Sequence, residues 1–105
     1  MILRKENILI QLQAFKKIFA QDHVRLLGFF GSYSRNEAKE ESDIDVLIET
    51  TPAFLDKYKG FKAHLKLDEL KMMLKESFNK EIDFTDKQGL IQHKNTYILD
   101  KTIYV

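Results

Sequence analysis

The sequence predicts a small α/β domain, because short apolar runs of strand length alternate with longer stretches whose apolar residues recur at helical spacing. The strongest strand signals are Val24 to Phe30 and Ile44 to Ile48, and the strongest helical ones cover residues 8–19 and 60–79. At 105 residues the chain has room for one domain with a real core and none for an appended substrate domain.

Taken in order, Ile8, Leu9, Leu12, Phe15, Ile18 and Phe19 share a helical face, which gives an amphipathic helix over about residues 3–20, ended by Asp22-His23. Val24 to Phe30 is apolar apart from Arg25, and such a run predicts a strand covered on both faces. Ser34-Arg35-Asn36-Glu37 has the form of a capping box, so a short helix is expected to open there. Ile44 to Ile48 is the second central strand, and Thr50-Thr51-Pro52 is expected to end it in a loop, since proline restricts its predecessor and cannot continue a ladder. Phe61, Leu65, Leu67, Leu70, Met73, Leu74 and Phe78 predict a long helix with Gly60 at a ragged start. Glu81 to Thr85 alternates polar and apolar side chains, the mark of a strand with one polar face. Leu90, Lys94, Tyr97 and Ile98 predict a last helix, and Thr102 to Val105 a terminal strand. The strands therefore fall near 24–30, 44–49, 81–85 and 102–105.

Composition excludes several function classes. The 17 basic residues nearly cancel the 16 acidic ones for a net charge of +1, so no overall field advertises a nucleic-acid partner. There is no cysteine, which removes disulfides and thiolate metal sites and fits a reducing, cytoplasmic setting. No apolar run approaches the ~20 residues of a membrane span. The segment Met1 to Asn7 is followed by Gln11, Gln13, Lys16 and Lys17 instead of a signal-peptide core, so it reads as the mature start.

The chemistry concentrates between Phe29 and Ile48. Asp43 and Asp45 flank Ile44, and in a strand their side chains emerge on one side about 6.6 Å apart along the chain. A hard divalent cation such as Mg²⁺ is usually held by one or two protein carboxylates together with substrate phosphates, which is what this pair offers. Gly31-Ser32, ending the preceding apolar run, supplies the other half: a glycine lets backbone approach a phosphate, and the turn after it presents N–H groups and a hydroxyl. Asp83, in Ile82-Asp83-Phe84, is the candidate to accept a proton from an attacking hydroxyl, with Glu81 and Asp86 as alternatives. Arg35 lies where a planar guanidinium could meet a triphosphate.

Gly31-Ser32, a ten-residue spacer and Asp43-Ile44-Asp45 resemble the hallmark of the minimal nucleotidyltransferase family within the DNA polymerase β superfamily. Gly31-Ser32-Tyr33-Ser34-Arg35 and Ser42-Asp43-Ile44-Asp45-Val46-Leu47-Ile48 extend the likeness, and Asn36 stands where the family commonly has glycine. Asparagine tolerates left-handed backbone, so the turn is expected to survive. The resemblance implies a polymerase β-like fold with a small mixed sheet flanked by helices. It also implies ATP as substrate, two Mg²⁺ ions bridging Asp43, Asp45 and the triphosphate, and Asp83 as third carboxylate on a neighbouring strand. In small proteins of this kind it further implies an antitoxin that transfers AMP to a tyrosine of a HEPN-domain RNase toxin.

With so little chain after Asp83, the acceptor has to be gripped by another chain or a second copy, which makes a homo- or hetero-oligomer the expected assembly. The competing reading is a non-catalytic binding module that neutralises its partner by occlusion; a nucleotide-sugar glycosyltransferase is disfavoured by length. His23, His64 and His93 share no ligand spacing and read as surface or satisfied core residues. Lys57, Lys59, Lys62 and Lys66 form a basic run that could meet an acidic partner or RNA. Interleaved with Asp56, Asp68 and Glu69, it reads first as a solvated helix face.

Overall fold

The computed structural model describes residues 3–105, so Met1 and Ile2 of the expected mature start lie outside the described residues. Helix α1 (Lys5–Gln21) buries Ile8, Leu12 and Phe19 along the face that its periodicity marks. His23, at φ 63, turns the chain into β1 (Val24–Phe30). β2 (Ile44–Thr50) returns antiparallel beside β1. Two helices follow, α2 (Pro52–Lys57) and α3 (Phe61–Phe78), and they carry the chain over to β3 (Ile82–Asp86), parallel to β2. A parallel neighbour cannot be reached by a tight turn, so the length of this crossover is required by the topology. After α4 (Lys87–Gln92) and α5 (Tyr97–Asp100), β4 (Ile103–Tyr104) pairs antiparallel with β1. The sheet order is β3-β2-β1-β4, a four-stranded mixed sheet flanked by helices, as expected.

One core joins Ile8, Leu12 and Phe19 of α1, Val24, Leu26 and Phe29 of β1, Ile44, Val46 and Ile48 of β2, and Leu70, Leu74 and Phe78 of α3. Leu47 is fully buried outside that cluster, on the side of β2 that α4 covers. β2 is thus sealed on both faces, but β1 is not: Arg25 is exposed and Leu27 half-buried, and a register shift between Leu26 and Gly28 interrupts the alternation. That irregularity is why an apolar run here does not mean two covered faces. Gly28 has a packing reason of its own. A Cβ at this position would lie 2.1 Å from the Ile103 carbonyl oxygen, so β4 can approach only a glycine.

Besides the open face of β1, three local expectations change. No helix opens at Ser34; the chain instead makes a 3₁₀ turn over Gly31–Arg35, and Asn36 ends it in the left-handed region at φ 57. Thr51-Pro52 does not begin a loop. Thr51 caps α2, its hydroxyl accepting from the Phe54 N–H at 3.2 Å, and Pro52 sits in the first turn, where a missing N–H costs nothing. The single last helix is two short ones, α4 and α5, separated at Lys94, whose φ is 56.

Candidate active site

The site forms where β1 ends and where β2 and β3 begin. Register fixes it: Phe30 pairs with Asp45 across the antiparallel ladder, and Asp45 pairs with Asp83 across the parallel one. Neighbouring strands lie about 4.8 Å apart, so Gly31, Asp45 and Asp83 meet at one edge of the sheet. The Ile44 N–H donates to the Glu81 carbonyl at 3.0 Å and ties the start of β3 to that of β2. Asp43 stands immediately before β2, exposed, after a turn closed by two bonds between Lys39 and Ser42: the Lys39 N–H donates to the Ser42 hydroxyl, and the Ser42 N–H to the Lys39 carbonyl. The structure therefore brings Gly31, Asp43, Asp45 and Asp83 together.

The turn carrying Gly31 and Ser32 is rigid for local reasons. Gly31 has φ 77, and a Cβ there would lie 2.2 Å from Asp45 Oδ2, so two independent constraints demand glycine. The Ser34 hydroxyl donates to the Gly31 carbonyl at 2.7 Å, and the Glu37 N–H donates to the Ser32 carbonyl at 2.9 Å. Tyr33 anchors the turn in the core with 2% exposure. The first N–H groups of such a turn have no partners within it and are left to a ligand or water. Asn36 adopts the left-handed conformation that a glycine would take, as its chemistry predicts.

The electrostatics are those of an uncompensated acidic cluster. Among the described residues no hydrogen bond or ion pair reaches the carboxylates of Asp43, Asp45 or Asp83. Burial pushes the Asp45 carboxyl above its ordinary value, Asp83 and then Asp43 push it further by repulsion, and Arg35 pulls the other way. Arg35 is the nearby cation, but its Nε donates to Glu37 Oε2 at 3.0 Å, and the pair is exposed. The two alternatives to Asp83 are both engaged by other residues. Glu81 pairs with Lys75 at 2.8 Å, and Asp86 sits at the opposite end of β3, bonded to Thr50 and Gln88.

Oxygen donors alone, from carboxylates, suit a hard divalent cation. Among the described residues no three His, Cys, Asp or Glu side chains converge so as to hold a metal ion by themselves, so an ion here would depend on phosphate and water for much of its shell. The missing Cβ at Gly31 is what lets the Asp45 carboxylate lie against this turn. A cleft of about 310 Å³ adjoins the cluster, lined by Asp43, Ser42, Glu81, Lys75, Asn79 and Lys80 among others. Lys75, Asn79 and Lys80 are site neighbours that sequence reading missed, because α3 and the turn after it carry them there from a distance in the chain. The three histidines stay apart: His23 in the turn before β1, His64 beside Asp68, and His93 at the end of α4.

This chain resembles known proteins in sequence and in fold. The family model of a nucleotidyltransferase domain matches residues 12–105. The chain is 32% identical over 105 residues to the protein adenylyltransferase MntA of Thermococcus cleftensis, an alignment covering 99% of this chain and 98% of that one. It is 36% identical over 90 residues to a Methanocaldococcus jannaschii protein provisionally named a protein adenylyltransferase, covering 83% and 79% of the two. A solved structure, provisionally described as a minimal nucleotidyltransferase, superposes with a TM-score of 0.72 and covers 98% of this chain and 97% of its own. At 22% identity that likeness speaks to the fold.

Proposed function

We propose that this chain, which belongs to the nucleotidyltransferase domain family, acts as a single domain that moves AMP from ATP to a hydroxyl of a partner protein. The observation carrying this reading is the in-register pair Asp45–Asp83 beside the Gly31 turn, with Asp43 adjoining and no side-chain donor to any of the three carboxylates among the described residues. The name of the Thermococcus relative supports a protein as acceptor.

In this reading Asp43, Asp45 and Asp83 hold the divalent cations that accompany the nucleotide, taken to be two Mg²⁺ ions. Bound metal neutralises phosphate charge and makes the α-phosphorus more electrophilic. The turn of Gly31 and Ser32 cradles the triphosphate, and Arg35 exchanges Glu37 for a phosphate oxygen. Asp83, exposed on β3, accepts the proton of the acceptor hydroxyl while that oxygen bonds to the α-phosphorus. The bond from the α-phosphorus to its bridging oxygen breaks, and pyrophosphate leaves with the electron pair. The acceptor is a tyrosine of a HEPN-domain RNase toxin, and the chain serves as the cytoplasmic antitoxin; family resemblance supports this part. No helix among the described residues is long and apolar enough to cross a membrane, which is compatible with that setting.

The test is direct. Labelled ATP, Mg²⁺ and the purified product of the neighbouring gene are incubated with the wild type, and mass spectrometry should find AMP esterified to a tyrosine. If the partner is silenced with no adduct, transfer is not the mechanism and occlusion replaces it.

A further inference from the structure

α3 is apolar on two sides. Leu70, Leu74 and Phe78 are buried against the sheet. On another side Phe61, Leu65, Asp68, Met72, Lys75 and Asn79 succeed one another at alternating spacings of four and three residues, the seam spacing of packed helices. The apolar members of this seam are open to solvent: Phe61 is 73% exposed, Leu65 52% and Met72 51%. Single exposed apolar residues need no explanation, but an aligned row of them marks an interaction surface.

The two ends of the seam differ. Near Phe61, the exposed Lys57, Lys59 and Lys62 have no carboxylate partner among the described residues. At the other end Lys75 and Asn79 line the cleft that also contains Asp43. An 18-residue helix spans about 27 Å, so the seam leads from a basic-edged apolar patch directly to the carboxylate cluster.

We propose that this seam of α3 docks the acceptor protein, which meets it with a helix carrying apolar side chains at matching spacing and bordered by aspartate and glutamate. Calling the occupant the acceptor rests on the adenylyl-transfer reading above. Charge chooses among occupants. A second copy pairing through the same seam would set Asp68 against Asp68 in either orientation, and in the parallel one Lys57, Lys59 and Lys62 against themselves, like charge facing like. A nucleic acid would use the lysines and leave Phe61, Leu65 and Met72 bare. An acidic-edged helix satisfies both sets, and a residue at its far end would reach Asp43.

The probe is the purified neighbouring gene product, titrated calorimetrically without ATP and then assayed for transfer with labelled ATP and Mg²⁺. Phe61→Ser with Leu65→Ser should raise Kd and KM at least about tenfold, since buried anchors carry most of an interface's energy, while kcat is retained at saturating acceptor. Lys57→Glu, Lys59→Glu and Lys62→Glu together should weaken binding and flatten its dependence on salt. The ATP-dependent rise in melting temperature should persist in both variants and also reports that they are folded. Unchanged Kd in both variants overturns the docking surface while leaving transfer intact. Loss of binding in the variants, with a wild type that binds but forms no adduct, keeps the surface and sinks the transfer reading. A wild type that does not bind the probe, or one that sediments as a dimer split by Phe61→Ser with Leu65→Ser, also overturns the proposal.

Discussion

The two ends of the β2–β3 pair carry carboxylates in opposite circumstances. At the far end Asp86 accepts from the Thr50 hydroxyl at 2.6 Å and from the Gln88 N–H at 3.1 Å. Beside it Glu49 accepts from Arg25 at 3.2 Å and from the Gln88 amide at 2.7 Å. At the near end Asp45 faces Asp83 with Asp43 alongside, and no donor reaches any of them among the described residues. The strands and the residue type are the same, yet one end uses carboxylates to close the structure and the other keeps them free at a cost in repulsion. Carboxylates left without donors, side by side, are arranged for something that arrives from outside.

The largest contrast should come from removing the near-end charges. Asp43→Asn with Asp45→Asn should abolish the ATP- and Mg²⁺-dependent rise in melting temperature, which arises because a ligand bound only to the folded state stabilises it. Differential scanning fluorimetry reads this, and an undiminished shift would break the comparison. Asp83→Asn should keep nucleotide binding and slow transfer by roughly 10²–10⁴, the usual worth of a positioned base.

At the far end Asp86→Ala should leave transfer rates at the wild-type level and cost about 1–2 kcal/mol in urea denaturation, from the lost cap of α4 and the bond to Thr50. A catalytic defect there would erase the distinction between the ends.

The smallest effect is in pH. The Asp45 carboxyl titrates above its ordinary 3.8, so its favourable contribution to folding is complete below that pH and is lost as pH rises through the raised value. Asp45→Asn removes this titration. Measured without metal, its melting temperature should match the wild type in acid and exceed it increasingly toward neutrality; a gap that narrows would reverse the sign argued for the cluster.

What was legible in the chain follows the same division. β1, β2 and the turn between them could be read because their signals are local: an apolar run, a Gly-Ser turn and a second apolar run. Asp43 stands one residue before β2, so the strand period covers Asp45 and not Asp43. Asn36 was readable for the same reason, since its side chain suits the conformation it takes. Glu81 and Asp83 could not be told apart by alternation, which separates only Asp86 at an odd offset; which of the two stands beside Asp45 depends on the register between β2 and β3, which no local pattern encodes. Thr51-Pro52 is ambiguous on its face: the same pair that stops a strand can start a helix, and Phe54 burying itself in the core decides for the helix. The break at Lys94 has no local signal, as lysine has no particular liking for its left-handed backbone.

The parallel pairing of β2 with β3 also sets an order of events during synthesis. β1 and β2 are neighbours in sequence and can pair early, bringing Gly31 and Asp45 together while the chain is still emerging. Asp83 joins them only after the whole of α3 has left the ribosome, folded and packed back on the sheet. A half-made chain therefore has the Gly31 turn and Asp45 without Asp83, and the full carboxylate cluster appears late, as the crossover closes.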